Sequence, residues 1–381
     1  MTISRRMFLA GSTSLILTSP MLSKAIASNK TKNNLVIIML RGGMDGLTAV
    51  PFIGNDILMK ARPDISVNKP VPITSNFALH PMLKNYKSLW DDGQASIFHS
   101  SSIPYTGRSH FEGQYLMESG GTQPYYDKTG WIGRALEGAG IKGLSISLPM
   151  PLILRGGEDL DSFLPSKNRL PNDDTLQLLQ NDYQDDKMLS EVLSTIRKRP
   201  FAMMEPKSKS DKDMKGLAKI AAEQLSKPDG PSIAVFDIGG FDTHADQGGD
   251  FGEHAKKLKQ FDDVVGTLKK QMGETFNKTI IVSLTEFGRT VSQNGGSGTE
   301  HGYGTAILMA GGLLPKSRII SDWPGLEKKN LFEGRDLNSS VDSRAVYASI
   351  LARVLGSDHK KIVKDAFFSS NLPDMTKRIF L

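Results

Sequence analysis

Six short apolar runs, separated by stretches of helical pattern, constrain this chain more than any other feature. They are Leu35 to Leu40, Ala95 to His99, Leu144 to Leu154 (interrupted by Pro149 and Pro151), Ser232 to Asp237, Thr279 to Leu284 and Thr305 to Ala310. Several are apolar throughout, as strands are when helices cover both faces of a sheet. Between the fourth and fifth runs, Leu258, Phe261, Val265, Leu268 and Met272 recur at spacings of three and four, the mark of an amphipathic crossover helix. Strands alternating with such helices predict an α/β fold around a mostly parallel sheet.

The stretch from about Glu158 to Pro228 departs from this rhythm. It is rich in Asp, Lys and Gln and is expected to be a helical insertion, with a mobile surface segment near Lys207 to Lys215. It suits either a layer of crossover helices or a cap over a site.

The N-terminus carries an address. Ser-Arg-Arg-Met-Phe-Leu, with Arg5 and Arg6 paired, precedes a modest apolar stretch from Met7 to Leu17 and a small-x-small site at Ala25-Ile26-Ala27. This pattern predicts a twin-arginine export signal over residues 1–27, cleaved near Ala27, and hence the twin-arginine machinery as a partner and a periplasmic or otherwise exported location. No later segment is apolar for long enough to cross a bilayer, so no stable membrane span is expected after cleavage. The remaining residues, 28–381, suit one large α/β domain. With no cysteine, neither a disulfide nor a thiolate metal ligand is available, and any metal must sit on carboxylates, imidazoles, hydroxyls or water. The formal charge of +6 falls to +3 once the three cations Arg5, Arg6 and Lys24 leave with the signal, and nothing in that balance calls for nucleic acid.

Ligand sites of open α/β sheets gather at strand ends, and four such ends carry chemistry here. The first run leads into a glycine loop with Asp45; the fourth leads to Asp237, Asp242 and His244; the fifth ends in Glu286; and His301 precedes the sixth. The segment after His99 adds hydroxyls at Thr106 and Ser109, the imidazole of His110, and Arg108. Singly, such acids cap helices and such histidines bind loop carbonyls, and Ser109 with Glu112 reads equally as a capping box. Together they have the composition of a metal site with a hydroxyl nucleophile beside it. No Gly-x-Ser-x-Gly, His-Glu-x-x-His or G-x-G-x-x-G spacing points instead to a serine hydrolase elbow, a zincin or a dinucleotide site.

Seven ordered segments, RGGMDGL, LHPML, RSHFEGQ, GWIGRAL, DTHADQ, EFGRT and HGYG, resemble the hallmarks of exported DUF1501 proteins of the alkaline phosphatase/sulfatase superfamily. That resemblance implies a three-layer α/β/α sandwich around a mixed sheet and a two-metal site, holding zinc, calcium or manganese, that hydrolyses an anionic ester of phosphate or sulfate. It implies Asp45, Asp242, His244, Glu286 and His301 as metal ligands, Thr106 or Ser109 as nucleophile, His110 beside it, and Arg108 or Arg289 steadying the oxyanion. Two departures stand out. Phe287 occupies the place of a ligand histidine, which leaves the second half-site for a harder cation or none, and Asp242 and His244 are closer together than in the superfamily, which either puts Asp237 or Asp246 in the ligand role or means that the metal pair is gone. The alternative is a protein that keeps the fold without the chemistry and binds an envelope polysaccharide or a partner protein.

Overall fold

The structure is a computed structural model that describes residues 32–147, 149–163, 173–184, 186 and 213–381. Its compact body runs from Asn34 to Leu381. In chain order the strands are β1 (Asn34–Leu40), β2 (Val71–Pro72), β3 (Ala78–Leu79), β4 (Ala95–Ser102), β5 (Gly143–Ile146), β6 (Leu160–Ser162), β7 (Ile233–Ile238), β8 (Thr279–Leu284), β9 (Thr305–Ala310), β10 (Arg318–Ile320) and β11 (Val341–Asp342). The main sheet has the order β10-β4-β9-β8-β1-β7-β5-β6, with β11 continuing alongside β4, while β2 and β3 form a separate ribbon.

Every pairing in the main sheet is parallel except those of β9, which runs antiparallel to both β4 and β8. One reversed strand has a large consequence for the site. Residues that precede β9 emerge at the same sheet edge as residues that follow β1, β7, β8 and β4.

The sheet is covered on both faces, which explains why β1 is apolar at every position. Leu35, Ile37 and Met39 enter one core with helix Ser343–Leu355, whereas Val36, Ile38 and Leu40 enter another with helices Met214–Leu225 and Glu253–Met272. The five apolar residues expected to line the crossover helix are all buried.

The third expected strand is shorter than the apolar run suggests. β5 stops at Ile146, and Leu152–Leu154 form a 3₁₀ turn, because Pro149 and Pro151 lack the N–H a strand pairing needs. Within the stretch expected as a helical insertion, β6 adds an edge strand, Asp173–Asp182 is helical, and Met214–Leu225 packs Leu217, Ala218, Ala221, Ala222 and Leu225 into the core. Asp213 caps that last helix and Lys215 lies in its first turn; residues 207–212 of the expected surface segment lie outside the described residues.

Candidate metal centre

The edge loops are drawn together by close backbone packing. Gly42 adopts φ +113°, and a Cβ there would lie 2.3 Å from the amide nitrogen of Asp242, so the loop after β1 can meet the loop after β7 only without a side chain. A short antiparallel bridge between Arg289 and His301, with Gly302 N–H bonded to the Gly288 carbonyl at 2.8 Å, ties the loop after β8 to the segment before β9.

Asp242 stands at the centre of the result. Its Oδ1 accepts from Arg289 Nη1 at 2.8 Å and lies 3.0 Å from His244 Nε2 and 3.1 Å from His301 Nε2. Its Oδ2 lies 3.2 Å from His110 Nε2, outside hydrogen-bonding geometry, so that buried nitrogen has no hydrogen-bond partner among the described residues. The Nε2 atoms of His244 and His301 are only 3.0 Å apart.

The other nitrogen of each ring faces an acceptor. His110 Nδ1 lies 2.9 Å from Glu286 Oε1, His244 Nδ1 lies 2.9 Å from Glu300 Oε2, and His301 Nδ1 lies 2.7 Å from the Arg108 carbonyl. A carbonyl or an ionised carboxylate only accepts, so each Nδ1 carries the hydrogen, and a ring in its neutral form turns a bare Nε2 toward Asp242. Three lone pairs and a carboxylate facing one another repel unless a cation or a proton lies between them. Ligand imidazoles held through Nδ1 by a carboxylate or carbonyl are the usual arrangement around a metal ion. Atoms of His110, Asp242 and His301 all lie within 4.8 Å of one another, a spacing compatible with shared ligation of one cation.

The electrostatics keep both carboxylates ionised. Burial works to raise Asp242, but the hydrogen bond and charge of Arg289 outweigh it and hold the carboxyl at about 2. Burial likewise opposes ionisation of Glu286, yet His110, Gln114 and the Gly42 amide bond to it and keep its pKa below the ordinary value. The Glu286 bond raises His110, whereas burial lowers His301.

Of the residues singled out in the sequence, His110, Asp242, His244 and His301 are brought together, and Glu286 lies behind His110 rather than facing the others. Asp45 is not brought to this group. It is fully buried, caps helix Gly46–Ala49, and is bound by Arg62 at 2.7 Å, Gln247 at 2.7 Å and the Thr48 hydroxyl at 2.7 Å, which leaves no face for a metal. Asp237 is held by Arg41 at 2.6 Å, and Asp246 makes no contact with the cluster.

The arginines are also committed. Arg108 pairs with Asp336 at 2.8 Å and with Glu333, and buried Arg289 spends its donors on Asp242, the Gly42 carbonyl and Thr299. Arg289 has no donor left to grip an ester, whereas Arg108 bonds through Nη2 alone and its Nε has no hydrogen-bond partner among the described residues. Ser109 does occupy the N-cap of helix His110–Ser119, but its hydroxyl makes no capping bond, and Glu112 accepts from Tyr105 instead, so the capping box does not form. Thr106 is exposed, and its hydroxyl, like that of Ser109, makes no hydrogen bond among the described residues. Phe287 is buried against the rings of His110 and His301, with centroids 4.9 and 5.0 Å away, and forms the apolar floor of the site.

Three further contributors escaped the sequence reading: Gln114, Glu300 and Gln247. Gln114 had a signal, being one helical turn past His110; the others are recognisable only by what they touch.

The family profile described as "Protein of unknown function (DUF1501)" matches residues 94–367, most of the chain. The chain belongs to the DUF1501 family. No curated protein matches this DUF1501 chain. Among solved structures it is similar to a protein in the alkaline phosphatase superfamily from Vibrio parahaemolyticus (11% identity, 89% of this chain and 70% of that one, TM-score 0.42). It is similar also to the PsFucS1 sulfatase from Pseudoalteromonas sp. (12% identity, 88% and 70%, TM-score 0.40) and to an alkaline phosphatase from the Antarctic bacterium TAB5 (11% identity, 76% and 95%, TM-score 0.38).

Proposed function

We propose that this DUF1501 protein is an exported, metal-dependent hydrolase of phosphate or sulfate esters that works with a single divalent ion. The observation that supports it is the convergence of three imidazoles, each anchored through Nδ1, on one carboxylate. His110, Asp242 and His301 would hold the ion, with His244 in reach as a fourth ligand. Mixed imidazole and carboxylate donors suit zinc or manganese better than calcium, which prefers oxygen throughout. A bound ion supplies Lewis-acid charge and lowers the pKa of a ligand water or hydroxyl.

The chain's own groups do the rest. Arg289 keeps Asp242 ionised and aimed; Glu286, Glu300 and the Arg108 carbonyl keep the three rings in one tautomer; Phe287 excludes water from beneath them. Glu286 takes the part of a supporting group behind His110 and not of a second metal ligand. Thr106 and Ser109 lie on the loop leading to His110 with uncommitted hydroxyls, and either would serve as the nucleophile of a covalent step. The twin-arginine segment fits the same reading, since that route carries folded proteins and lets a metal be captured before export.

Metal analysis of protein purified without chelators, with phosphate and sulfate ester turnover assayed alongside, tests this. One equivalent of metal that disappears together with turnover in Asp242→Asn and His301→Ala supports the reading. A folded parent that refuses zinc, manganese and calcium overturns it. Full turnover in both Thr106→Ala and Ser109→Ala would remove the covalent step and leave attack to water. Mass measurement of the mature N-terminus checks export, with cleavage after Ala27 as the expected result.

A further inference from the structure

Arg41, which follows β1 directly, reaches two other elements with one guanidinium. Its Nε donates to Asp237 Oδ2 at 2.6 Å near the end of β7; its Nη2 donates to Glu118 Oε1 at 2.8 Å and its Nη1 to Gln114 Oε1 at 3.0 Å, both on helix His110–Ser119. The backbone beside it continues the pattern. Gly42 N–H donates to Glu286 Oε1 at 2.8 Å, and the Arg41 carbonyl accepts from the Phe241 amide at 3.1 Å. One dipeptide thus touches the helix that carries His110, the strand and loop that lead to Asp242, and Glu286 after β8.

The direction of each bond is fixed by chemistry. A guanidinium only donates, so the Gln114 oxygen must face Arg41, and its amide nitrogen then faces Glu286, where it donates to Oε1 at 2.9 Å. Gln114 stands four residues past His110, on the same side of the helix, and the two side chains grip the same oxygen. Glu286 Oε1 therefore takes three donors, from Gly42, Gln114 and His110 Nδ1, and cannot swing away from the imidazole without giving up the other two. The Arg41 side chain is only 20% exposed, so water competes weakly for these bonds.

We propose that Gln114 and Arg41 are positioning residues of the metal centre: they set the orientation of Glu286 and, through it, the face that the His110 ring turns toward Asp242. The proposal rests on the metal reading above for the ion, and on the chain of directed hydrogen bonds alone for the positioning.

Two variants test it in the mature protein. Gln114→Met keeps the length of the side chain and both Arg41 ion pairs while cutting the link from Arg41 to Glu286. Arg41→Lys keeps the charge beside Glu118 and Asp237 but lacks the planar fork that serves three partners. Zinc affinity is read by competition with a chelating dye. In the metal-free protein, the proton NMR signal of His110 Nδ1–H is read as well, since it is sharp only while a held acceptor shields it from exchange with water. Gln114→Met is expected to weaken zinc by about tenfold, the low end of the cost of removing a group behind a ligand histidine, and to broaden the imidazole signal; Arg41→Lys does the same. In a Glu286→Gln background Gln114→Met costs nothing further, because its effect passes through that carboxylate. A folded Gln114→Met that leaves either readout unchanged, or a loss of zinc affinity that adds in full to that of Glu286→Gln, overturns the proposal, as a merely structural residue would lower stability and nothing else. If the parent takes up no metal, the metal reading fails and the imidazole signal alone decides: sharp in the parent and lost in Gln114→Met, it upholds the positioning, and unchanged, it overturns it.

Discussion

Two clusters at the same sheet edge use the same kinds of residue and end differently. Around Asp45 stand Arg62, His254, Gln247 and Thr48; around Asp242 stand Arg289, His110, His244 and His301. In the first, everything is buried and the carboxylate is saturated, although His254 Nδ1 has no hydrogen-bond partner among the described residues: Arg62 and the hydrogen bonds to Asp45 overcome burial and hold its carboxyl well below the usual range, while burial drives His254 down to about 3, so it stays neutral. In the second, Asp242 is 40% exposed at its side chain, one arginine serves it, and three imidazoles turn bare nitrogens toward it. A carboxylate whose lone pairs are all taken is part of the framework; one left with uncommitted neighbours is a site. The two clusters touch, because Gln247 accepts from Thr299 at 2.6 Å and Thr299 accepts from Arg289 at 3.1 Å.

The sharpest way to break this contrast is to cross the substitutions. Asp45→Asn strands Arg62 as an uncompensated buried charge and is expected to cost about 3–5 kcal/mol in urea unfolding. Its folded fraction is expected to keep a bound metal, whereas Asp242→Asn is expected to lose it and, because it leaves buried Arg289 without its carboxylate, to lower metal-free stability as well, by less than Asp45→Asn since Asp242 is 40% exposed. Metal lost from both would show that the clusters work as one unit through Gln247.

Smaller effects sharpen the same division. Glu286→Gln is expected to weaken metal affinity by about 10–100-fold, the usual consequence of removing a carboxylate behind a ligand histidine, read by competition with a chelating dye. The pH dependence follows from the shifts. His110 is raised by Glu286, so protons compete for its Nε2, and zinc affinity in a pH series is expected to fall as the pH drops through a value above the ordinary imidazole one. In Glu286→Gln that midpoint moves to lower pH. In the metal-free protein the His110 contribution to stability runs the other way, being complete below the unfolded imidazole pKa and lost as pH rises through the raised folded one. The Asp242 contribution is present above the ordinary Asp value and lost as pH falls through about 2. The smallest effect is expected for Ser109→Ala, which should change stability by less than about 0.5 kcal/mol, since its hydroxyl makes no capping bond.

Much of the framework was legible because it is local. β8 and β9 begin and end where the apolar runs do, and the helix over Glu253–Met272 buries the residues its periodicity selects. The run at Leu144 misled because hydrophobicity continues past Ile146 while the prolines end the pairing. The short strands β6, β10 and β11 were invisible because two or three residues carry no period. In the site, the residue types and their strand-end positions were readable, but the division of labour was not. Asp45 and Asp242 both follow a strand and a glycine, and neither shows in sequence which will find an arginine seventeen residues on and which one forty-seven residues on.

The sequence by itself determined the alternation of strand and helix, the absence of thiolate chemistry, and the set of acids and imidazoles available at strand ends, all properties of residue type and spacing. Only the tertiary structure decided that His301 would face Asp242, because β9 runs against its neighbours and brings its leading residue to the edge where they end. It decided also that Asp45 would be sealed and Asp242 left open, since a carboxylate's role depends on how many donors the folded chain brings within about 3 Å of it, and those donors come from distant segments.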